Sequence, residues 1–295
     1  MRAVKWMGAA VVMLSAGVAM GQAAATTVAD ASPGYTVIHD VKYTTGPNGA
    51  LGADVYVPDG AGPFPGILFI HGGGWKSGDR SQMVKLITAL AQKGYVGFTI
   101  DYDLSPGVRY PVAFHESLAG LNYLRAHAKQ YKLDAARVAV AGRSAGGELA
   151  ALVALNPSGV VAGGKADPRF AASPVQAALI LNGVLDLTAQ TEKSTSVPEY
   201  LGGSCAEMMV ACKDASPISH VHAGAPAIYV GHGTADESVP FHEAQEFTAA
   251  LKRAGVTVKF FVAQDGPHTY WGKQRYMADN LQAMVEFLTA ALANK

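Results

Sequence analysis

Short apolar runs alternate with longer helix-like stretches along most of this chain, and this alternation limits its fold more than any other feature. Six such runs occupy residues 66–71, 95–101, 137–142, 178–183, 227–231 and 257–263. Runs of this length without polar alternation are typical of strands buried on both faces. Helix-like stretches occupy residues 81–93, 111–131, 144–155, 242–254 and 276–293. The pattern predicts an α/β fold whose mostly parallel sheet is covered by helices.

Two earlier runs, residues 35–43 and 51–57, show polar alternation and predict an antiparallel pair that opens the sheet. Together with the six buried runs they give eight strands in a single domain, which we place at residues 24–295. Segments 156–173 and 187–216 are too short for a large cap. In such sheets the chemistry lies at the carboxyl ends of the strands, so functional residues are expected there.

Composition narrows the classes of function. The chain has 295 residues, of which 49% are apolar, and its 23 Lys and Arg balance 23 Asp and Glu. An apolar fraction this high argues against disorder. A nucleic-acid partner is not expected, because phosphate-backbone binding needs a clustered positive field. Two cysteines are too few for a four-cysteine zinc site, and we expect an enzyme without metal or organic cofactor.

The N-terminus has the layout of a secretory signal peptide, which we place at residues 1–23. Arg2 and Lys5 precede an uncharged, mostly apolar run over residues 6–20, and small residues follow. That run is shorter than the roughly 20 residues that cross a bilayer. We therefore expect a periplasmic or secreted protein with no stable membrane insertion after cleavage. An uncleaved anchor is the alternative.

The predicted export affects the expected oxidation state of the two cysteines. Cys205 and Cys212 lie seven residues apart in a loop-like stretch. In an oxidising compartment such a pair is expected to form a disulfide. Two free buried thiols, or a metal pair without further ligands, are the alternatives.

A nucleophile motif follows the third buried run. The sequence Gly142-Arg143-Ser144-Ala145-Gly146-Gly147 ends a predicted strand and begins a predicted helix. This is G-x-S-x-G in the strand–turn–helix context that the motif requires, where glycines permit a sharp turn that exposes the serine hydroxyl. The helix N-terminus favours negative charge beside that hydroxyl. Ser144 is the predicted nucleophile, and a plain glycine-rich turn is the alternative.

A serine needs a base, and position selects among nine histidines. His268 lies in a turn-rich segment after the last predicted strand and is our choice. His71 and His232 lie at strand ends, where each would buttress a loop. The remaining histidines fall in strand, helix or loop patterns: His39, His115, His127, His220, His222 and His242.

The acid that orients the base is sought among aspartates that follow strands. Asp236 gives the chain order Ser144, Asp236, His268, which is the order expected for this type of sheet. Asp186, one strand earlier, is the main alternative. Asp265 fits a turn, and Glu237 is a weaker candidate that we expect to be solvated.

A glycine-rich loop follows the first buried run in Ile70-His71-Gly72-Gly73-Gly74-Trp75. Its backbone N–H groups, with that of Ala145, are suited to stabilise an oxyanion. A flexible loop is the alternative. A phosphate-binding P-loop is excluded, because Trp75 precedes Lys76 where that motif needs glycine.

Together the motifs HGGGW, GRSAGG and HGTAD and the late histidine resemble the α/β-hydrolase superfamily. The chain is similar to the HGGG-bearing esterases related to hormone-sensitive lipase, and most of all to bacterial feruloyl and acetyl-xylan esterases. This resemblance runs from about Tyr35 to the C-terminus. It implies a catalytic triad of Ser144, Asp236 and His268. It also implies an oxyanion hole formed by the N–H groups of Gly73, Gly74 and Ala145, with the Trp75 N–H as an alternative donor.

Three positions depart from the pattern of that family. Asp103 replaces the usual arginine of the DYRLSP segment, Glu148 stands where relatives often have histidine, and Pro267 replaces a glycine. None of these is a triad residue, so the changes bear on the shape of the pocket.

The function expected is a serine carboxylesterase acting through an acyl-enzyme on a small-molecule or carbohydrate ester, with short acyl or aromatic acyl groups such as acetyl or feruloyl. Predicted pocket residues are Trp75, Tyr102, Asp186 and Trp271, although aromatic residues also fill cores. An exported serine peptidase or amidase is one alternative. A non-catalytic binding protein of the same fold is another, and the sequence does not indicate an oligomeric state.

Overall fold

The computed structural model describes residues 29–189 and 196–293. The predicted signal peptide lies outside the described residues and stays a prediction. The strands are β1 (Ala29–Ser32), β2 (Tyr35–Gly46), β3 (Gly49–Pro58), β4 (Phe64–Ile70), β5 (Val96–Ile100), β6 (Leu133–Arg143), β7 (Ala177–Leu181), β8 (Ala227–Gly233) and β9 (Val258–Ala263). The helices are α1 (Val84–Ala91), α2 (Val112–Ala126), α3 (Ala145–Leu155), α4 (Ser196–Leu201), α5 (Met209–Asp214), α6 (Phe241–Arg253) and α7 (Gln274–Ala291).

All nine of these strands form one sheet in the order β1-β2-β3-β5-β4-β6-β7-β8-β9. β1, β2, β3 and β5 pair antiparallel in turn, and the pairs from β5 through β4 to β9 are parallel. The mostly parallel sheet is confirmed, and the eight predicted strands are all present. The predicted number was one too low, because β1 is a mostly exposed polar segment without an apolar pattern.

Both faces of the sheet are covered, which is why the central strands are apolar throughout. All five residues of β5 and of β7 are buried. α2, α3 and α6 pack on one face through residues such as Leu121, Leu149 and Phe247. α1 and α7 pack on the other face through Leu90 and Leu288. The sheet is therefore the rigid core on which the strand ends are fixed.

The five predicted helices are confirmed to within a few residues, except that a 3₁₀ turn (Arg80–Met83) precedes α1. Two short helices, α4 and α5, lie between β7 and β8, so the described residues contain no large cap. Cys212 lies in α5 and not in a loop, which corrects the expectation for that stretch. Six residues are too few to show a helical period in the sequence.

Cys205 and Cys212 form a disulfide, with their Cα atoms 5.3 Å apart, as predicted. Along the described parts of the chain, no helix has both the length and the apolar character that spanning a membrane requires.

Candidate active site

The carboxyl ends of β6, β8 and β9 bring Ser144, Asp236 and His268 together at one edge of the sheet. Ser144 Oγ lies 2.9 Å from His268 Nε2, and His268 Nδ1 lies 2.8 Å from Asp236 Oδ2. In the neutral imidazole the serine hydroxyl donates to Nε2 while Nδ1–H donates to the carboxylate. The three predicted residues thus form one continuous hydrogen-bonded chain, although they lie as far as 124 residues apart in sequence.

Ser144 occupies a strained turn between β6 and α3. Its φ of 53° and ψ of −127° are rare for a residue with a side chain. The Ser144 N–H donates to the Leu181 carbonyl, which fixes the turn to β7. A Cβ on Gly146 would lie 2.2 Å from the His71 carbonyl oxygen, so only glycine fits there. The same contact holds the glycine-rich loop against the nucleophile turn.

Asp236 is held by more donors than the sequence indicated. Its Oδ1 accepts from the N–H groups of Ser238 and Val239, both at 2.9 Å. Its Oδ2 also accepts from Asn182 Nδ2 at 3.0 Å and lies 3.2 Å from His232 Nε2. The sequence analysis missed Asn182, although its place directly after a buried strand was a usable signal. His232 buttresses this loop, as proposed, and also contacts the carboxylate.

These contacts keep the Asp236 side chain ionised although it is fully buried. Burial alone would raise the pKa of Asp236, but hydrogen bonds from His232 and His268 to the charged form hold that pKa well below its usual range. The site therefore contains a fixed negative charge directly behind the imidazole.

The three carboxylates that were alternatives to Asp236 do not contact His268. Asp186 Oδ1 accepts from the N–H and the hydroxyl of Thr188, at 2.9 and 2.6 Å, and so caps a local turn. Asp265 accepts from Gln264 in a turn with a φ of 54°, and Glu237 is exposed. His268 therefore contacts Asp236 and none of these three carboxylates.

The glycine-rich loop makes a tight turn beside Ser144. Gly73 has a φ of 119°, and a Cβ there would lie 1.9 Å from the Ser77 carbonyl oxygen. Its own carbonyl accepts from the N–H groups of Lys76 and Ser77. The N–H groups of Gly73, Gly74 and Ala145 donate to no acceptor within the described residues. Free backbone donors next to a nucleophile are what an oxyanion hole requires.

Behind this loop lies a buried polar network. Trp75 Nε1–H donates to Glu148 at 3.0 Å, and the Tyr200 hydroxyl donates to the other carboxyl oxygen at 3.3 Å. The rings of Trp75 and Tyr200 stack with centroids 4.3 Å apart. Burial raises the pKa of Glu148 well above its usual range, and the two hydrogen bonds only partly oppose this. Nothing in the sequence indicated Tyr200.

The other predicted pocket residues differ in exposure. Trp75 and Tyr102 are 2% and 3% exposed, and the Tyr102 ring stacks on His71 with centroids 4.3 Å apart. Asp186 and Trp271 are partly exposed. Their contact with substrate, and the Trp75 N–H as an alternative oxyanion donor, stay predictions. In the residues that the structure describes, no three His, Cys, Asp or Glu side chains are grouped so that they could hold a metal ion.

A nucleophile turn after a central strand, a histidine after the last strand and a buried aspartate between them define an α/β-hydrolase. Comparison with known proteins agrees. The sequence profile of the BD-FAE family matches residues 53–251, and the chain belongs to that family.

Similar proteins carry esterase names. "Probable carboxylic ester hydrolase LipM" of Mycobacterium tuberculosis is 33% identical over 66% of this chain and 46% of its own length. The chain spans about half the length of the curated relatives it matches first.

Two solved structures share the fold. A truncated carbohydrate esterase from gut microbiota is 23% identical, with a TM-score of 0.77 over 89% of this chain and 100% of its own. The thermophilic esterase Est2 of Thermogutta terrifontis is 28% identical, with a TM-score of 0.73 over 89% of this chain and 95% of its own. These two likenesses agree with the fold described above.

Proposed function

We propose that this protein is a serine carboxylesterase that works through an acyl-enzyme. The observation that carries the proposal is the continuous chain of hydrogen bonds from Ser144 through His268 to the buried Asp236. It supplies a nucleophile, a base within reach of its proton, and a charge that stabilises the base once protonated.

In the first half of the reaction Ser144 Oγ attacks the ester carbonyl while His268 Nε2 takes the hydroxyl proton. The same nitrogen then gives that proton to the leaving alcohol, and the acyl group stays on Ser144. In the second half His268 activates a water molecule, which releases the acid and restores the serine. Asp236 keeps Nδ1 protonated throughout, so Nε2 is always the atom that exchanges the proton.

The oxyanion forms beside the glycine-rich loop. We infer that the N–H groups of Gly73, Gly74 and Ala145 donate to it, because they have no acceptor in the described residues and flank Ser144. Losing one donor of this kind typically costs about 2.7–4 kcal/mol of transition-state stabilisation. Glu148 acts indirectly, because it ties the Trp75 side chain to α3 and so holds the loop that carries the donors.

We propose that the ester substrate carries a short acyl group. In the proposed mechanism the acyl carbonyl oxygen accepts from the Gly74 N–H. Trp75, the next residue, is buried and stacks on Tyr200. The space next to the acyl carbonyl is therefore filled by protein. Structures of Thermogutta terrifontis esterase 2 with propionate and with butyrate bound support the same choice. Acetyl groups on carbohydrate are therefore our first candidate, and feruloyl groups the second.

We also propose that the enzyme acts in the periplasm or outside the cell. The signal-like N-terminus suggests export, and the Cys205–Cys212 disulfide suits an oxidising compartment. External esters are accessible to an enzyme in that location.

Initial rates on p-nitrophenyl acetate, butyrate and octanoate and on methyl ferulate test the proposal, with Ser144→Ala as the matched control. We expect hydrolysis of acetate and butyrate that is lost in Ser144→Ala. Strong cleavage of ferulate would place aromatic acids in the pocket. Activity that survives Ser144→Ala would refute the nucleophile, and cleavage of an aminoacyl anilide without ester cleavage would favour a peptidase.

A further inference from the structure

Arg143 immediately precedes the nucleophile and takes no part in the proposed mechanism. It is the last residue of β6, and its side chain is partly exposed at the edge of the sheet that carries the site. The motif leaves this position free, so the structure of the turn does not require a cation here. The presence of a positive charge one residue from the nucleophile is therefore not explained by the motif.

The guanidinium is held in place but its charge is not neutralised. Its carbon lies 5.0 Å from the centroid of the Trp271 ring, and Nη2 donates to the side-chain carbonyl of Gln82. Its Nε is buried and has no hydrogen-bond partner. In the part of the chain that the structure describes, Arg143 forms no ion pair, because both of these contacts are with neutral groups.

Two other arginines, one in the 3₁₀ turn before α1 and one in β6, are paired with carboxylates. Arg80 contacts Asp40, Asp54 and Asp101, and Arg137 lies 2.8 Å from Asp134. Burial lowers the pKa of Arg143, which is the effect of removing water from a cation without a counter-charge. A cation in this state gains free energy when an anion binds to it, since folding has already removed part of its water.

The position of Arg143 indicates which part of an ester it meets. Trp271 belongs to the 3₁₀ turn (Tyr270–Gly272) that begins two residues after His268, so the guanidinium lies on the side of the nucleophile from which the histidine comes. His268 delivers its proton to the departing alcohol. Arg143 therefore lies beside the alcohol portion of the ester.

We propose that Arg143 determines specificity by binding a carboxylate on the alcohol portion of the ester, so that the substrates are acyl esters of hydroxy acids or acidic sugars. A planar guanidinium with unused N–H groups matches a carboxylate in charge and shape. Trp271 adds an aromatic face on which a ring of the alcohol can stack. The inference rests on the proposed esterase activity and specifies its substrate class.

The test compares kcat/KM for 4-acetoxybenzoate with that for its neutral methyl ester. Both esters release a phenol that is followed by absorbance. The first variant is Arg143→Met, which keeps the aliphatic part of the side chain and removes the charge. The second is Arg143→Lys, which keeps the charge but lacks the planar guanidinium that can donate two parallel hydrogen bonds. Lys85→Met is the control, because it removes an exposed cation that lines the same small cavity as Trp271.

We expect Arg143→Met to lower the anionic-to-neutral ratio by about tenfold, the size of one charge-assisted hydrogen bond. Arg143→Lys should lower the ratio less, and Lys85→Met should leave it unchanged. In the unmodified protein, raising the salt concentration to about 0.5 M should also reduce the ratio, because salt screens a partly exposed charge.

An equal loss on both esters in Arg143→Met, together with a salt-independent ratio in the unmodified protein, would overturn the inference and leave Arg143 as a packing residue against Trp271. Hydrolysis of the neutral ester alone by the unmodified protein would overturn it too, while the esterase proposal stands. Failure to cleave either ester by a protein that hydrolyses p-nitrophenyl acetate would overturn this inference alone, whereas failure on all three esters would refute the esterase proposal and this inference with it.

Discussion

Replacing Asp236 by asparagine tests the electrostatic core of the proposed mechanism. The substitution preserves shape and removes one charge. In the structure both carboxylate oxygens accept from donors, Oδ1 from two backbone N–H groups and Oδ2 from His268 and Asn182. The amide nitrogen of asparagine must therefore face a donor in either orientation. If it faces His268, the histidine has to move its proton to Nε2, where it blocks the serine.

The size of the effect follows from the distance. His268 becomes an imidazolium in the transition state, with Nδ1 at 2.8 Å from Asp236 Oδ2. At an effective dielectric constant of about 20, two unit charges at that separation attract by about 6 kcal/mol. Since 1.36 kcal/mol is a factor of ten in rate, losing this attraction lowers kcat by about four powers of ten.

The assay is the initial rate on p-nitrophenyl acetate at saturating substrate, compared between Asp236→Asn and the unmodified protein. Glu237→Gln is the matched control, because it removes an exposed carboxylate one residue away. Circular dichroism and the melting temperature of each variant show whether it is folded.

A folded Asp236→Asn that retains more than about a tenth of the kcat would refute this reasoning, since the loss would then be far below one unit charge at contact distance. A mild effect there with a severe effect of Asp186→Asn would transfer the role of the acid to Asp186.

Two further predictions concern stability. Burial and the nearby charge of Asp103 raise the pKa of Glu116 from 4.5 to about 8, so its contribution to stability is complete below pH 4.5 and is lost as pH rises through 8. Between these two pH values the free energy of unfolding should fall with rising pH by up to about 1.4 kcal/mol per pH unit, and Glu116→Gln should remove this fall. Urea unfolding of both proteins at several pH values measures it, and equal pH dependence in the two would contradict the prediction. The Cys205–Cys212 disulfide closes a short loop, so reduction should lower the free energy of unfolding by about 2 kcal/mol. Alkylation of the unfolded, unreduced protein should add no mass, and uptake of two alkyl groups would show that the bridge is absent.

Local patterns in the sequence predicted the frame of the molecule well. Eight of the nine strands were expected, because a strand buried on both faces must be apolar along its whole length. β1 was missed since its pairing with β2 depends on backbone hydrogen bonds and not on apolar side chains. α4 and α5 were missed because each is too short to show a helical period.

The sequence by itself determined the order of most strands and helices, the turn at Ser144, and the small set of candidates from which the site is built. These follow from patterns within a few residues and from chain order. Only the tertiary structure decided that His268 contacts Asp236 and not Asp186, that Asn182 supports the carboxylate, and that Arg143 has no counter-charge in the described residues. The physical reason is that hydrogen bonds act over about 3 Å, so partners are chosen by where distant strand ends come to lie.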